Sequence, residues 1–342
     1  MKAIQVRAHG GPEVLQLGDV PDPVPEPDEA IVEMRISGVN FIDVYYRRGA
    51  FDLPTPFIPG SEGAGTVIAV GSDGPPDLLG RRVVFVTYPA LQGTYAERVR
   101  VKTWRLVPIP DGLDERAACT LMTGMTAHYL AHDVRSFEPG QWALVHAAAG
   151  GVGSLLVQML SRSGVRVIAA ASTEEKAQLA RSDGAEATVT TGDAGWVGDV
   201  RETTGGVGVD AVFDSVGKAT FDGSLECLRR RGWMILFGIA SGEPRDLPPE
   251  ELLHRGSLVL TRPGLVDYTA TPDELQRRAA DVLHRIDNGD LKVRIQEVFP
   301  LTRAADAHRC LEARATTGKL LLNIQEIRDC SSEVNGGEAR VE

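Results

Sequence analysis

The rhythm of apolar and polar positions changes near residue 115, and that change divides the chain. Before it, short stretches of alternating or mostly apolar residues predict strands at Lys2–Ala8, Ala30–Asn40, Gly65–Val70, Arg82–Tyr88 and Ala96–Val101. Prolines and glycines, as in Pro21–Pro27 and Gly71–Pro76, break the stretches apart. Frequent turns between short strands predict a barrel-like or sandwich-like body. Glu115–Asp133, rich in Ala, Leu, Met and Thr, predicts a helix. From Gln141 onward, apolar runs and helical patterns take turns. Trp142–Ala148 precedes a helix to about Ser163, and Arg166–Ala171 precedes Thr173–Ser182. Thr188–Thr191 precedes a polar helix ending near Gly205, and Val209–Asp214 precedes Ala219–Arg229 and then Gly232–Phe237. That alternation predicts a parallel sheet with helices on both faces. Ser257–Thr261 adds a strand. Helices at Pro272–Asn288 and Thr302–Arg314 and strands at Val293–Phe299 and Leu320–Ile324 predict a return to the first domain. The polar stretch Arg328–Glu342 is expected to be disordered. There is no internal repeat.

With 342 residues, 43% of them hydrophobic, the chain suits two domains with substantial cores. No apolar run approaches the ~20 residues of a membrane span. The N-terminus alternates like a strand and lacks the apolar core of a signal peptide, so a cytoplasmic protein is expected. The net charge of −11 argues against a nucleic-acid or anionic-membrane surface. Four scattered cysteines, with no C-x-x-C pair, exclude a disulfide framework or zinc cluster and fit a reducing compartment.

The segment Ala147-Ala148-Ala149-Gly150-Gly151-Val152-Gly153 lies between a predicted strand and a predicted helix. Its spacing A-x-x-G-x-x-G is a variant of the dinucleotide-binding fingerprint. Missing side chains allow a tight turn and let backbone N–H groups approach a pyrophosphate at a helix N-terminus. The second strand, Arg166–Ser172, follows about 20 residues on, as that unit requires. The other reading is a tight strand-to-helix turn with no ligand.

Eight segments stand out together: GGPEVLQL, NFIDVYYRRG at 40–49, PGSEGAGTV at 59–67, HAAAGGVG at 146–153, DSVG at 214–217, FGIASG at 237–242, LTRP at 260–263 and ARATTGKLLL at 313–322. Through them the chain resembles zinc-independent members of the medium-chain dehydrogenase/reductase superfamily. It is similar, more narrowly, to the NADPH:quinone oxidoreductase branch with its zeta-crystallin-like proteins. The resemblance runs from about residue 1 to 324. It implies an α/β fold, a GroES-like β domain plus a Rossmann-like doubly wound parallel-sheet domain, with the active site in the cleft between them. The expected division is 1–122 for the GroES-like domain, 123–262 for the cofactor domain, 263–326 for the return and 327–342 for a disordered tail.

Zinc-dependent relatives carry metal-binding Cys, His and Cys where this chain has Asn40, Ser61 and Met122. None of the three replaces a thiolate or imidazole on Zn²⁺. Residues 80–118 contain no cysteine, so the structural zinc lobe is missing too. The expectation is no metal, and direct hydride donation to an acceptor that is already electrophilic.

The same resemblance places Gly150, Gly151, Val152 and Gly153 under the pyrophosphate. Ser172, Lys176 and Arg314 match positions near a 2′-phosphate, which favours NADPH as cofactor. Ser172-x-x-Glu175 also reads as a capping box, and Glu174 and Glu175 weaken the positive field. Thr191 stands where close relatives carry a tyrosine beside the adenosine phosphate. Asn40, Asp43 and Tyr45 are expected near the nicotinamide. Tyr45 could orient a quinone oxygen or supply a proton, or be an ordinary half-buried aromatic; Asp43 reads as a structural anchor. Thr126 and Tyr129 are expected at the nicotinamide ribose and phosphate. Ser215, Phe237, Gly238 and Arg262 fall at strand ends, where ligands collect. His146 reads as a satisfied core histidine.

The function expected is NADPH-dependent reduction of a quinone by a homodimer that contacts neither nucleic acid nor membrane. An NADPH-dependent reductase of activated C=C bonds is the alternative enzyme. A non-catalytic NADPH-binding protein, structural or RNA-binding, is the alternative of another class.

Overall fold

Among the described residues two large sheets of different character, one six-stranded and one seven-stranded, carry the chain, with a small two-stranded sheet besides. The computed structural model describes residues 1–87, 93–192 and 195–327. It divides into two units: Met1–Met122 together with the described chain from Thr271 onward, and Thr123–Ala270. Tyr88 of the first-domain strand expectation and the expected disordered tail from 328 lie outside the described residues.

In chain order the first unit contains β1 (Lys2–Gln5), β2 (Gln16–Asp19), β3 (Glu29–Val39), α1 (Phe41–Arg48), β4 (Glu62–Val70), β5 (Arg82–Val86), β6 (Arg98–Lys102), β7 (Val107–Pro108) and α2 (Glu115–Ala118). α3 (Leu121–His132) leads into the second unit. There follow β8 (Trp142–His146), α4 (Gly151–Arg162), β9 (Arg166–Ala171), α5 (Glu174–Ser182), β10 (Ala187–Thr190), α6 (Trp196–Thr203), β11 (Val209–Asp214), α7 (Phe221–Cys227), β12 (Leu228–Leu236), α8 (Pro249–His254) and β13 (Val259–Thr261). The chain returns to the first unit with α9 (Pro272–Asp287), β14 (Ile295–Pro300), α10 (Ala304–Glu312) and β15 (Lys319–Asn323).

β3 organises the first unit. It pairs antiparallel with β4, β6 and β15, so the last strand lies directly beside one of the first. Its burial is nearly continuous, as expected for a central strand covered on both faces. Ile4, Val32, Met34, Phe85, Tyr95 and Leu322 fill the core. α1 begins where β3 ends, and Gly49, at φ 74, closes it in the left-handed conformation that glycine adopts without strain.

The second unit holds a six-stranded, all-parallel sheet in the order β10-β9-β8-β11-β12-β13. Counted from β8 this is the doubly wound order 3-2-1-4-5-6. The strand order reverses between β8 and β11. At such a point the outgoing turns diverge and leave a crevice at the carboxyl ends.

Three local expectations are corrected. The helix expected over Glu115–Asp133 is broken at Cys119–Thr120, where the Thr120 hydroxyl donates to the Ala117 carbonyl at 2.7 Å and competes with the helical ladder. The helix expected through Arg229 stops at Cys227. Leu228–Arg231 is strand, although Leu-Arg-Arg-Arg continues an amphipathic pattern. Arg229 is tied to Asp210 on β11 at 2.7 Å, and the register slips between Val209/Leu228 and Ala211/Trp233 with Arg231 at φ 61. Finally, Ser172 is not the cap of α5. Thr173 takes that role, its hydroxyl accepting from the Lys176 N–H at 3.3 Å.

Gly65 pairs with Met34, and a Cβ there would run into the Glu33 carbonyl and lie 3.0 Å from the Met34 Cα. Gly65→Ala is therefore expected to lower stability by about 1–3 kcal/mol. The urea midpoint checks it: an unchanged midpoint would show that β3 and β4 can separate freely.

Candidate functional site

The glycine turn of the second unit is built at the sheet's switch point. β8 ends at His146, and Ala147 bends into the left-handed region at φ 49. The Gly150 N–H donates to the Ala147 carbonyl at 2.9 Å, and α4 starts at once with no side chain capping it. The N–H groups of its first turn thus point out uncapped, at the positive end of a twelve-residue helix. The glycines have separate duties. A Cβ on Gly153 would strike the Ala147 carbonyl, so this residue allows α4 to press against the strand end. A Cβ on Gly150 would meet only that carbonyl, at 3.1 Å, and otherwise fill the open cradle. The cradle fits a pyrophosphate, which needs N–H donors and close backbone approach.

With Thr173 serving as cap, the Ser172 hydroxyl stands exposed at the end of β9. No acid occupies that strand end. Lys176 is half-buried one turn into α5, and desolvation lowers its ammonium pKa, with Glu175 opposing. Thr191 follows β10, its N–H donating to the Ala171 carbonyl at 2.9 Å. At the ends of β11 and β12, a Cβ on Gly238 would lie 2.8 Å from the Ser215 carbonyl, so the two turns touch backbone to backbone. Phe237 donates its N–H to the Asp214 carbonyl at 2.9 Å. Arg262 is exposed and paired with Glu243 at 2.9 Å. Thr126 is half-buried on α3. Tyr129 is buried, stacked on Tyr268 at 4.4 Å, and its hydroxyl donates to the Pro263 carbonyl at 3.4 Å.

His146 lies in the core of this unit. Asp214 accepts from the Ser224 hydroxyl at 2.9 Å, so the His146 Nε2–H donates to the Ser224 oxygen at 2.9 Å. Burial pushes the His146 pKa down. It is a neutral core histidine, but not the fully satisfied one expected from sequence: Nε2 is paired, whereas Nδ1 is buried with no hydrogen-bond partner among the described residues.

The first unit carries a buried polar cluster around the start of α1. The Asn40 N–H donates to Asp43 Oδ2 at 2.9 Å. The Asn40 side chain turns away from the helix: its Oδ1 accepts from Lys319 Nζ at 2.6 Å and its Nδ2 donates to Glu62 Oε2 at 3.3 Å. Lys319 also donates to Glu62 Oε2 at 2.6 Å, and the other Glu62 oxygen accepts the Met122 N–H. Ser61 donates to Asp43 Oδ1. Asp43 is buried and hydrogen-bonded on both oxygens, which makes it the anchor of α1. Tyr45 is half-buried, edge-on to Phe51 at 5.7 Å and tilted against Phe41 at 6.2 Å.

A second chain of bonds joins this cluster. Arg47, fully buried, can only donate, so His308 Nδ1 accepts from it at 3.1 Å. The His308 proton then sits on Nε2 and goes to the Tyr95 oxygen at 3.0 Å, and the Tyr95 hydroxyl points to Asp43 Oδ2 at 3.5 Å. Glu312 closes the far end on Arg47. Glu62, Lys319, Tyr95, Arg47 and His308 were not singled out from sequence. Their partners are up to 279 residues away, and although Arg47, Glu62 and Lys319 lie inside the segments NFIDVYYRRG, PGSEGAGTV and ARATTGKLLL, nothing in those segments marks them out.

Two family models match the chain, an alcohol dehydrogenase GroES-like domain over residues 26–111 and a zinc-binding dehydrogenase over residues 151–274. A quinone oxidoreductase from Pseudomonas aeruginosa is 42% identical over 94% of this chain and 99% of its own length. The Escherichia coli quinone oxidoreductase complexed with NADPH superposes with a TM-score of 0.91 at 36% identity, covering 95% of this chain and 100% of that one. A 2-haloacrylate reductase from Burkholderia is 35% identical over 94% of this chain and 98% of its own length. A GroES-like unit and a doubly wound unit with a glycine cradle are the two halves of a nicotinamide-dependent oxidoreductase. The chain belongs to the medium-chain dehydrogenase/reductase superfamily, in its quinone oxidoreductase branch.

Zinc does not fit the residues at positions 40, 61 and 122. Asn40 is engaged by an ammonium, Ser61 by Asp43, and Met122 offers a thioether in place of a thiolate.

The cluster also has a pH signature. Burial, reinforced by Arg47, pushes His308 down from 6.5 to about 3. The unfolded chain takes a proton there that the native chain refuses, so this contribution to stability is complete above 6.5 and lost as pH falls towards 3. Burial pushes Asp43 up from 3.8 to about 6, against the Ser61 hydrogen bond. Its contribution is complete below 3.8 and lost as pH rises to about 6. Between those limits the two slopes oppose. His308→Gln removes the first, so its urea midpoint relative to wild type should improve on acidification from about pH 6.5 to 4. Parallel pH curves for the two proteins would mean that His308 does not titrate with folding.

Proposed function

We propose that this protein is an NADPH-dependent quinone reductase that works without a metal ion. The observation that carries the reading is the uncapped glycine turn at the switch point of the parallel sheet, followed by an exposed serine, not an acid, at the end of the next strand. An acid there would bind a ribose 2′-hydroxyl and repel a 2′-phosphate. When bound, NADPH supplies the hydride. The chain's own part is to bind and orient. Gly150, Gly151, Val152 and Gly153 hold the pyrophosphate, and Ser172, Lys176 and Arg314 read the 2′-phosphate. Asn40, Thr126, Tyr129, Ser215, Phe237, Gly238 and Arg262 complete the assigned cofactor contacts. Tyr45 is assigned to orient the acceptor oxygen. We further propose a cytoplasmic homodimer. Its contact would be the outer strand β13, where Leu260 is 36% exposed at the edge of the sheet. No contact with nucleic acid or membrane is part of the reading.

The likeness to a 2-haloacrylate reductase favours one second reading, reduction of an activated C=C bond. That reaction needs a proton at the carbon next to the activating group, and Tyr45 is then the candidate donor.

Lys176→Ala and Arg314→Ala should each weaken NADPH binding by ~1–3 kcal/mol, the worth of a lost charge-assisted hydrogen bond. NADH binding should be nearly unchanged. Fluorescence titration with both cofactors decides, and equal losses would show that these side chains do not read the 2′-phosphate.

Steady-state NADPH oxidation against a quinone panel and an enone panel tests the acceptor. Quinones should turn over, simple ketones should not, and Tyr45→Phe should change quinone turnover little. Negligible quinone activity, with an enone rate that falls ~10²–10⁴-fold in Tyr45→Phe, would replace the first reading by the second.

A further inference from the structure

The first turn of α5 carries charges that conflict with a 2′-phosphate. At the end of β9 such a phosphate would meet the exposed Ser172 hydroxyl and Lys176, yet Glu174 and Glu175 open the same helix. A carboxylate in a first helical turn is drawn to the N-terminal N–H groups and to the positive end of the helix. A phosphate is drawn to the same place. A loose Glu174 would therefore compete for that place and repel the ligand as well.

Glu174 is held elsewhere. Its carboxylate runs back along α5 to Arg181, two turns on, where Nη1 donates to Oε1 at 2.6 Å. Arg181 is anchored in turn. Its Nη2 donates to the Thr188 hydroxyl at 2.5 Å, and its Nη1 also reaches Gln178 Oε1 at 3.5 Å. Thr188 lies on β10 and pairs with Ala169 of β9, so the guanidinium is tied to the sheet as well as to its own helix. The helix start is satisfied without an acid. Thr173 is a neutral cap, and the third helical position, where a capping-box carboxylate would stand, is Lys176. Glu175 is the acid that still acts on the Lys176 ammonium. The Arg181–Glu174 pair is 44% and 70% exposed, a setting in which an ion pair contributes little to stability. Its consequence is where it puts a negative charge.

We propose that Arg181 is a specificity-determining residue of the cofactor site: by drawing Glu174 back along α5 it keeps the N-terminus of that helix open and cationic for a 2′-phosphate. It acts through Glu174, as a positioning residue and not as a ligand of the phosphate. The proposal rests on the NADPH reading above.

The test is calorimetric titration of the full chain with NADPH, NADH and 2′,5′-ADP. At low salt, Arg181→Ala should bind NADPH and 2′,5′-ADP ~3–10-fold more weakly, the effect of one freed carboxylate on a nearby phosphate dianion. NADH should stay within about twofold of wild type, since it offers no charge at that position. Raising the salt from about 50 mM to about 0.5 M should remove most of the deficit. The melting temperature should stay within about 2 °C of wild type. Glu174→Gln/Arg181→Ala, which lacks the freed charge, should return both 2′-phosphate ligands to within about twofold of wild type. Unchanged 2′,5′-ADP affinity in Arg181→Ala, or equal losses for NADPH and NADH, would overturn the proposal. So would a double variant that recovers nothing, because Arg181 would then touch the phosphate itself. A wild type that binds NADPH and NADH equally would sink the NADPH reading and the role of Arg181 with it. A wild type that prefers NADPH, beside an unchanged Arg181→Ala, would sink the role of Arg181 alone.

Discussion

The Glu62–Lys319 ion pair is the constraint on which the first unit turns. It joins the last strand, β15, to the start of β4 through side chains and to the start of α3 through the Met122 N–H. A pair so deeply buried gives little net stability compared with well-packed apolar residues. What it gives is specificity: β15 must sit with Lys319 beside Glu62, since any slip leaves two charges buried without partners. A one-residue slip would also turn its leucines to the opposite face. Asn40 is oriented as a by-product of that register, and Asp43, held by Ser61 and the Asn40 N–H, fixes the helix that carries Tyr45.

In the proposed reading the second unit meets a different problem, how to hold an anion without a cationic side chain at its centre. The answer is geometric. Parallel strands bring the N-terminus of α4 to the carboxyl edge of the sheet, and the glycines keep the turn bare. Next to it, Asp214 gathers the Val216 and Gly217 N–H groups and the Thr220 and Ser224 hydroxyls, which locks the neighbouring turn without any part of that carboxylate facing outward. Rigid turns on both sides of the switch point are what a long, multi-contact cofactor needs.

Features that depend on a few consecutive residues are legible in the sequence. The A-x-x-G-x-x-G turn is one, because its requirement is backbone space and the glycines declare it. The bounds of β9 and β11 are another, since apolar runs between glycine and polar turns leave few alternatives. Where two local signals competed, the reading failed. Ser172 and Thr173 are both capping residues, and only the path of the chain leaving β9 makes Thr173 the cap. Leu228–Arg231 has helical periodicity, but Asp210 on β11 draws Arg229 into a strand. The polar cluster was invisible for a third reason. Lys319 meets Glu62 and Asn40 across 257 and 279 residues, and a lysine before three leucines looks like the edge of a strand until the sheet is assembled.

The central claim of the proposed function is that hydride transfer proceeds without a metal ion. The most direct measurement is zinc content and NADPH:quinone activity on one sample of purified protein dialysed against a strong chelator. Full activity with far less than one zinc per chain, unchanged when zinc is added back, is the predicted result. Loss of activity on chelation that stoichiometric zinc restores would contradict the claim.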